Sequence, residues 1–273
     1  MLSEMSSIDW IKTLELIATK VRIRATQVLG SSDAGTVLGR NLSGDLTRDI
    51  DMKAEKTILE ELQKLRIPIF YIGEEVSSKI GVNPSTFVIA DCIDGTLNAI
   101  TGIPFFCTSI AVSNTRKMSG VFVGLVMDLC RGDVFVATKD RGALMNGKTI
   151  RVSGVTELSD SIVRAPVSHL DDVAARRLLT TLSEVRNDRH LGSAALELCY
   201  LAAGFYQSFV DIRRRLRPTD LAAAYLIIRE SGGIVSFPDG TKFDCILDSK
   251  SRLPIVASCN MKLHEKILGS LSS

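Results

Sequence analysis

The chain is poor in the residues that many reactive centres depend on. Its three histidines, at 169, 190 and 264, lie far apart, which excludes a zinc-like ligand spacing. Its six cysteines are scattered and form no CxxC pair. In a chain of 273 residues that pattern points to a reduced, cytoplasmic protein rather than a disulfide framework. Aromatic residues make up 5%, too few for a platform that stacks bases. The formal charge is +2, so bulk charge gives no reason to expect a nucleic-acid partner. No apolar run approaches the length needed to cross a bilayer, and no membrane role is expected. The opening MLSEMSSIDWIK has an early Glu and no apolar core, so no signal peptide is read. If a metal is bound, oxygen ligands must hold it.

What is present is a mixed pattern of helices and strands. Ile11, Leu14, Ala18, Val21, Ala25 and Val28 recur at helical spacing, with Ser6 or Ser7 as cap and Gly30 as stop. Residues 31–50 read as a loop or weak hairpin. Asp51 is expected to cap a second helix bearing Ala54, Ile58, Leu62 and Leu65. Strands are expected at 69–72 and 87–90, then at 109–112, 121–128 and 133–137 as antiparallel neighbours. A helix over 193–203, a strand over 205–211, a helix capped by Thr219 and ending at Ser231, a strand at 255–258 and a short C-terminal helix complete the chain. The class is α+β in stacked layers. An N-terminal subdomain is expected over 1–145 and a C-terminal one over 146–273.

Residues 142–149, GALMNGKT, match a phosphate-loop pattern letter for letter. The mechanism of that loop needs a helix behind it. A strand pattern follows instead, and Asn146-Gly147 is a hairpin-turn signature, so a β-turn is expected there.

The stretch ADCIDGTLNA, 90–99, is different. It leaves a buried strand and at once presents Asp91, Asp94, a glycine and Thr96, with no obvious helix after Gly95. Asp51, Glu74, Glu75 and Asp220 stand at other element edges, where layered α/β proteins gather ligands. Each alone has a bland reading: a cap, a first-turn acid or a solvated turn. Gathered together, they would repel one another unless a cation such as Mg²⁺ neutralised them. Gly95 lets backbone approach an anion, and paired metals suit in-line displacement at phosphorus.

These motifs resemble the inositol monophosphatase family, part of the lithium-sensitive, magnesium-dependent phosphatases that include fructose-1,6-bisphosphatases. The first signature is Asp91-Cys92-Ile93-Asp94-Gly95-Thr96-Leu97-Asn98. Upstream stand Gly73-Glu74-Glu75 and Asp45-Leu46-Thr47-Arg48-Asp49-Ile50-Asp51. The second signature is Thr219-Asp220-Leu221-Ala222-Ala223, followed by Glu230-Ser231-Gly232-Gly233. Gly192-Ser193-Ala194-Ala195-Leu196-Glu197 and Asp211-Ile212-Arg213 resemble the archaeal branch, whose members act on both inositol-1-phosphate and fructose-1,6-bisphosphate.

The resemblance implies a layered αβαβα sandwich, a homodimer and two or three Mg²⁺ per site. Glu74, Asp91 and the Ile93 carbonyl would hold the first ion; Asp91, Asp94 and Asp220 the second; Glu74 and Asp51 would flank a third. Thr96 with Asp51 would activate the attacking water on a metal, with no covalent intermediate. Asp94, Gly95 and Thr96 would cradle the phosphate, Gly192, Ser193 and Ala194 would line the far side of the substrate, and Asp211 would bind sugar hydroxyls. Arg213 is a candidate for a second phosphate, with a solvated loop as the alternative; Arg214, Arg215 and Arg217 are read as solvated. Cys92 replaces a usual proline, and Thr219 a usual aromatic. A phosphatase of the same fold acting on 3′-phosphoadenosine 5′-phosphate and an inactive anion-binding relative are the alternatives. Leu97-Asn98 speaks against the former, the intact acidic set against the latter.

Overall fold

The structure, a computed structural model, describes residues 8–28, 35–40 and 46–272. Five layers alternate helix and sheet. The outer helices α1 (Trp10–Val28) and α2 (Asp49–Lys64) cover an eight-stranded sheet. That sheet contains β3 (Ile69–Ile72), β4 (Ser77–Ile80), β5 (Thr86–Asp94), β6 (Cys107–Ser113), β7 (Val121–Asp128), β8 (Val134–Thr138), β9 (Ala143–Met145) and β10 (Lys148–Ile150), in the order β10-β9-β8-β7-β6-β5-β3-β4. Strands β1 (Val37–Arg40) and β2 (Leu46–Arg48) form a separate weak hairpin, as expected.

Helices α5 (Ala194–Ala202) and α6 (Pro218–Glu230) fill the middle layer. Beyond them lies a five-stranded sheet. It is built from β11 (Ile162–Arg164), β12 (Asn187–Arg189), β13 (Ser208–Leu216), β14 (Ile234–Ser236) and β15 (Leu253–Ser258). Helices α4 (Asp172–Ser183) and α7 (Met261–Ser272) close the outer face. A six-residue helix, α3 (Thr96–Thr101), follows β5 directly.

Three apolar cores fill the spaces between the five layers, the central one on both sides of the middle helices, and burial of apolar surface is what stacks them. Leu14, Val21, Ile58 and Leu62 meet Val88, Ala90 and Ile110 under the outer helices. Ile89, with the opposite pleat, joins Leu198, Leu221 and Ile227 in the central core. Val210, Val256, Leu178 and Ile267 make the third. Gly124 on β7 marks the closest approach of α6: a Cβ there would lie 2.8 Å from the Ala223 carbonyl oxygen. The Ala222-Ala223-Ala224 run thus draws the start of α6 tight against the first sheet, which brings Asp220 to the end of β5.

Several expectations need correction. Helix α2 begins at Asp49 with Arg48 at its N-cap, so Asp51 is a first-turn residue and not the cap. Arg217 caps α6, leaving Thr219 inside the first turn. A helix does follow Gly95; six residues were too few for a periodic signal. The first sheet runs through Ile150 and the second begins at Ile162. The hairpin at Asn146-Gly147 is present, with φ of 51° and 75°. Ser6, Ser7, Gly30 and Asp45 lie outside the described residues.

Candidate active site

Strand β5 ends in a bulge: its register with β6 shifts between Asp91 and Asp94. A bulge re-aims side chains, and here it releases two carboxylates from the sheet beside the first turns of α2 and α6. Gly95 then turns the chain with φ of 95°, a conformation that favours glycine. Added bulk has no room either, since a Cβ would lie 3.1 Å from the Phe106 Cβ and 3.2 Å from the Ser193 Cβ.

Glu74, Asp91 and Asp220 converge, with one oxygen from each lying within 4.8 Å of the others. Asp91 and Asp220 are buried and Glu74 is partly so. Burial pushes Glu74 up to about 8, with Asp220 and Asp51 adding repulsion and Arg217 opposing it. Burial and repulsion from Glu74, Asp220 and Asp94 drive Asp91 well above the usual carboxylate range. Burial raises Asp220 as well, against the charge of Arg217. Among the described residues Arg217 is the guanidinium paired with this group, and Arg252 adds a weaker pull on Asp220, so positive charge stays short of the three carboxylates. That deficit, with oxygen donors only, fits a hard divalent cation.

Arg217 itself is buried, pairs with Glu74 and donates its backbone N–H to Asp220 Oδ2 at 2.9 Å. The expectation of a solvated Arg217 is corrected: the position is an N-cap packed into the acidic cluster. Arg214 and Arg215 are exposed, as expected. Thr219 donates to Asp220 Oδ1 at 3.1 Å, so the residue that departs from the aromatic pattern supports the acid.

The other expected site residues fall around this cluster. Thr96 Oγ1 lies 3.0 Å from Asp51 Oδ1 and 2.9 Å from the Ile93 carbonyl oxygen. Burial raises Asp51 to about 7, against the bond from Thr96. Asp94 is likewise raised to about 7, by burial and then by Asp220. Its Oδ2 accepts from Ser193 Oγ at 2.8 Å and from the Ala195 N–H at 2.6 Å. Ser193 is fully buried and Ala194 nearly so, whereas Gly192 is exposed. In this arrangement Ser193 holds Asp94 in place. Glu75 stays out of the three-acid group and accepts from Thr47 Oγ1.

Asp211 is fully buried. Arg213 Nε reaches its Oδ1 at 3.0 Å, while Arg213 Nη2 and Arg164 Nη1 reach Oδ2 at 2.7 and 2.9 Å. Arg164 also donates to Glu197 Oε2 at 2.9 Å. Burial would raise Asp211, but the two arginines outweigh it and hold the carboxyl below its usual range. Both Asp211 oxygens are thus engaged within the protein.

Sequence reasoning gave no role to Arg164, Glu55 or Asn98. The Asn98 side chain donates to the carbonyls of Phe105 and Leu191 at 2.7 and 2.6 Å, tying α3 to the loop before α5. Arg164 carries no local signal, because its partners are distant in sequence. Glu55 follows Asp51 by one helical turn, and that spacing was the available clue.

A candidate cation site of oxygen donors, set where β3 and β5 end and α6 begins in a five-layer sandwich, marks the α+β class to which the chain is compared. Residues 5–273 match the inositol monophosphatase family, and the chain belongs to it. It is 34% identical over 272 residues to a fructose-1,6-bisphosphatase/inositol-1-monophosphatase of Methanothermobacter thermautotrophicus, covering 96% of each chain. It is 34% identical over 231 residues to an inositol-1-monophosphatase of Mesorhizobium japonicum, covering 81% of this chain and 85% of that one. Among solved structures, an inositol monophosphatase-fructose 1,6 bisphosphatase superposes with a TM-score of 0.85 at 27% identity, covering 96% of this chain and all of that one.

Proposed function

We propose that the protein is a Mg²⁺-dependent phosphomonoesterase that hydrolyses a sugar or polyol phosphate, with inositol-1-phosphate and fructose-1,6-bisphosphate as the substrates to try first. The observation that carries this reading is the convergence of Glu74, Asp91 and Asp220 in a buried setting with a deficit of positive charge. These acids would hold the metal, with the Ile93 carbonyl, Asp94 and Asp51 completing a site for two or three ions. Bound there, Mg²⁺ neutralises the acids, draws in phosphate and makes water more acidic.

The residues of the chain do the rest. The Thr96 hydroxyl, held by Asp51 and the Ile93 carbonyl, orients the attacking water. Asp51, whose Oδ1 accepts the Thr96 hydroxyl at 3.0 Å, takes the proton that the water passes on through Thr96. The turn Asp94-Gly95-Thr96 cradles the phosphate, and Gly192 borders the substrate, with Ser193 and Ala194 packed behind it. Arg213, anchored by Asp211, presents positive charge to a second phosphate; Asp211 acts through Arg213, since its own oxygens are engaged. A homodimer in the cytoplasm belongs to the same reading, by family likeness.

A nucleotide substrate is the second reading. The chain is 30% identical over 285 residues to a bifunctional NADP phosphatase/NAD kinase of Methanococcus maripaludis, covering 96% of this chain and 49% of that one. Phosphate release from inositol-1-phosphate, fructose-1,6-bisphosphate, NADP and 3′-phosphoadenosine 5′-phosphate, with Mg²⁺ and with chelator, decides between them. Mg²⁺-dependent release from the first two supports the proposal. Release confined to the nucleotides replaces it with the second reading.

A further inference from the structure

The Gly73-Glu74-Glu75 turn supplies one of the clustered acids, yet it is a short connection between β3 and β4 with little apolar anchorage. Its fixation comes from a residue outside the acidic motifs. Glu55 lies on α2, one turn beyond Asp51, and is 1% exposed. Its Oε2 accepts from the Glu75 N–H at 3.0 Å, and its Oε1 accepts from the Val76 N–H at 3.2 Å. The turn is closed on itself by the Gly73 N–H donating to the Val76 carbonyl at 2.9 Å. The carboxylate also occupies the space a side chain on residue 73 would need: a Cβ there would lie 1.7 Å from Glu55 Oε1 and 2.7 Å from Tyr71 Oη. Glycine stands at 73 because Glu55 sits against it; φ is not the reason.

We infer that Glu55 is a positioning residue for the metal site: it grips the two backbone amides after Glu74 and so fixes where the Glu74 carboxylate stands relative to Asp91 and Asp220. One helix face then serves the site twice. Asp51 meets Thr96, and Glu55, four residues on, sets the neighbouring turn. A carboxylate suits the task because it offers two acceptors and no donor, matching two adjacent N–H groups. Glutamine offers one acceptor and one amide group that opposes the second N–H. The inference rests on Glu74 being a metal ligand, as proposed above. Groups that orient a metal ligand from behind typically govern metal affinity about 10–100-fold.

The test compares wild type with Glu55→Gln, Glu55→Ala, Gly73→Ala and the double variant Glu55→Ala/Gly73→Ala. Two quantities are read: Mn²⁺ binding, by loss of the free-ion electron paramagnetic resonance signal, and the Mg²⁺ concentration giving half-maximal phosphate release. Glu55→Gln and Gly73→Ala should each weaken Mn²⁺ binding and raise half-saturating Mg²⁺ by about 10-fold or more. The rate at saturating Mg²⁺ should stay within about 3-fold of wild type, a split that a general loss of structure would not produce. In the double variant the 1.7 Å clash with Glu55 is gone and only the 2.7 Å approach to Tyr71 is left, so its effect should fall short of the sum of the Glu55→Ala and Gly73→Ala effects. Should Glu55→Gln fail to fold, Gly73→Ala carries the test, because it disturbs the contact with Glu55 intact. Unchanged Mn²⁺ binding in folded variants overturns the inference. So does strict additivity. Wild type that binds no Mn²⁺ and shows no Mg²⁺ dependence overturns the proposed function itself, and the positioning role with it; wild type that binds Mn²⁺ while releasing no phosphate leaves the Mn²⁺ comparison to decide on Glu55 alone.

Discussion

Two buried charged clusters among the described residues are built on opposite plans. In one, Glu74, Asp91 and Asp220 crowd together against Arg217, with a weaker pull from Arg252 on Asp220, and burial lifts each carboxyl above its usual range. In the other, Arg164 and Arg213 face Glu197 and Asp211, two charges of each sign, and the Asp211 carboxyl is held low. Both clusters cost desolvation. The second offsets that cost internally and is a strut. The first is left in deficit, and such a deficit marks a place where a cation from outside belongs. Charge balance distinguishes the two where the count of carboxylates alone would not.

The strongest way to break the contrast is to remove an acid from the unbalanced cluster, or its neighbour Asp94. Asp91→Asn or Asp94→Asn should lower phosphate release by about 10³-fold or more, roughly 4 kcal/mol of transition-state stabilisation, while circular dichroism stays native. Near-normal turnover in either variant would contradict the metal assignment. Removing a charge from the balanced cluster should instead show in stability. Arg164→Met leaves Glu197 and Asp211 without their shared partner, and denaturant unfolding should report a loss of about 3–5 kcal/mol.

The pH response should separate the clusters further. Asp51 and Asp94 have folded-state values near 7 against 3.8 for an ordinary aspartate. Between about 4 and 7 the folded protein therefore binds more protons than the unfolded chain, so stability falls as pH rises through this window. Metal-free protein should melt at a higher temperature at pH 5.5 than at pH 7.5. Mg²⁺ should raise the melting temperature most at the higher pH, where the carboxylates are ionised. A melting temperature that is flat with pH in chelator would remove the deficit from the account.

Smaller effects sharpen the picture. Arg213→Ala should raise KM for fructose-1,6-bisphosphate by about 10-fold and leave inositol-1-phosphate nearly unchanged, because only the first brings a second phosphate. Equal changes for both would assign Arg213 to the strut alone. Cys92→Pro should cost about 1 kcal/mol or less. Residue 92 lies in the bulge, where the ladder is interrupted and proline is tolerated, and its thiol gives only a weak bond to the Asp51 carbonyl at 3.3 Å.

The unbalanced cluster was legible in the sequence because each of its acids sits at an element edge inside a short local motif. The layered class followed from alternating periodicities, and the hairpin at Asn146-Gly147 from its turn chemistry. Other features escaped for physical reasons. Helix α3 is too short to show a period. The caps at Arg48 and Arg217 hold no Ser, Thr, Asp or Asn, so Asp51 and Thr219 drew the assignment instead. Arg164 meets Glu197 and Asp211 only through tertiary packing, 33 and 47 residues away. Asp211 looked available to a substrate in sequence; only the fold reveals two arginines already on it.

The central claim is that Glu74, Asp91 and Asp220 together hold a divalent cation. Crystals soaked in Mn²⁺ and measured at the manganese edge test it most directly. The account predicts an anomalous peak among those three carboxylates, absent from Asp220→Asn crystals, and none at the Arg164 cluster. An empty map at the acids at saturating Mn²⁺, or a peak that survives Asp220→Asn unchanged, would contradict it.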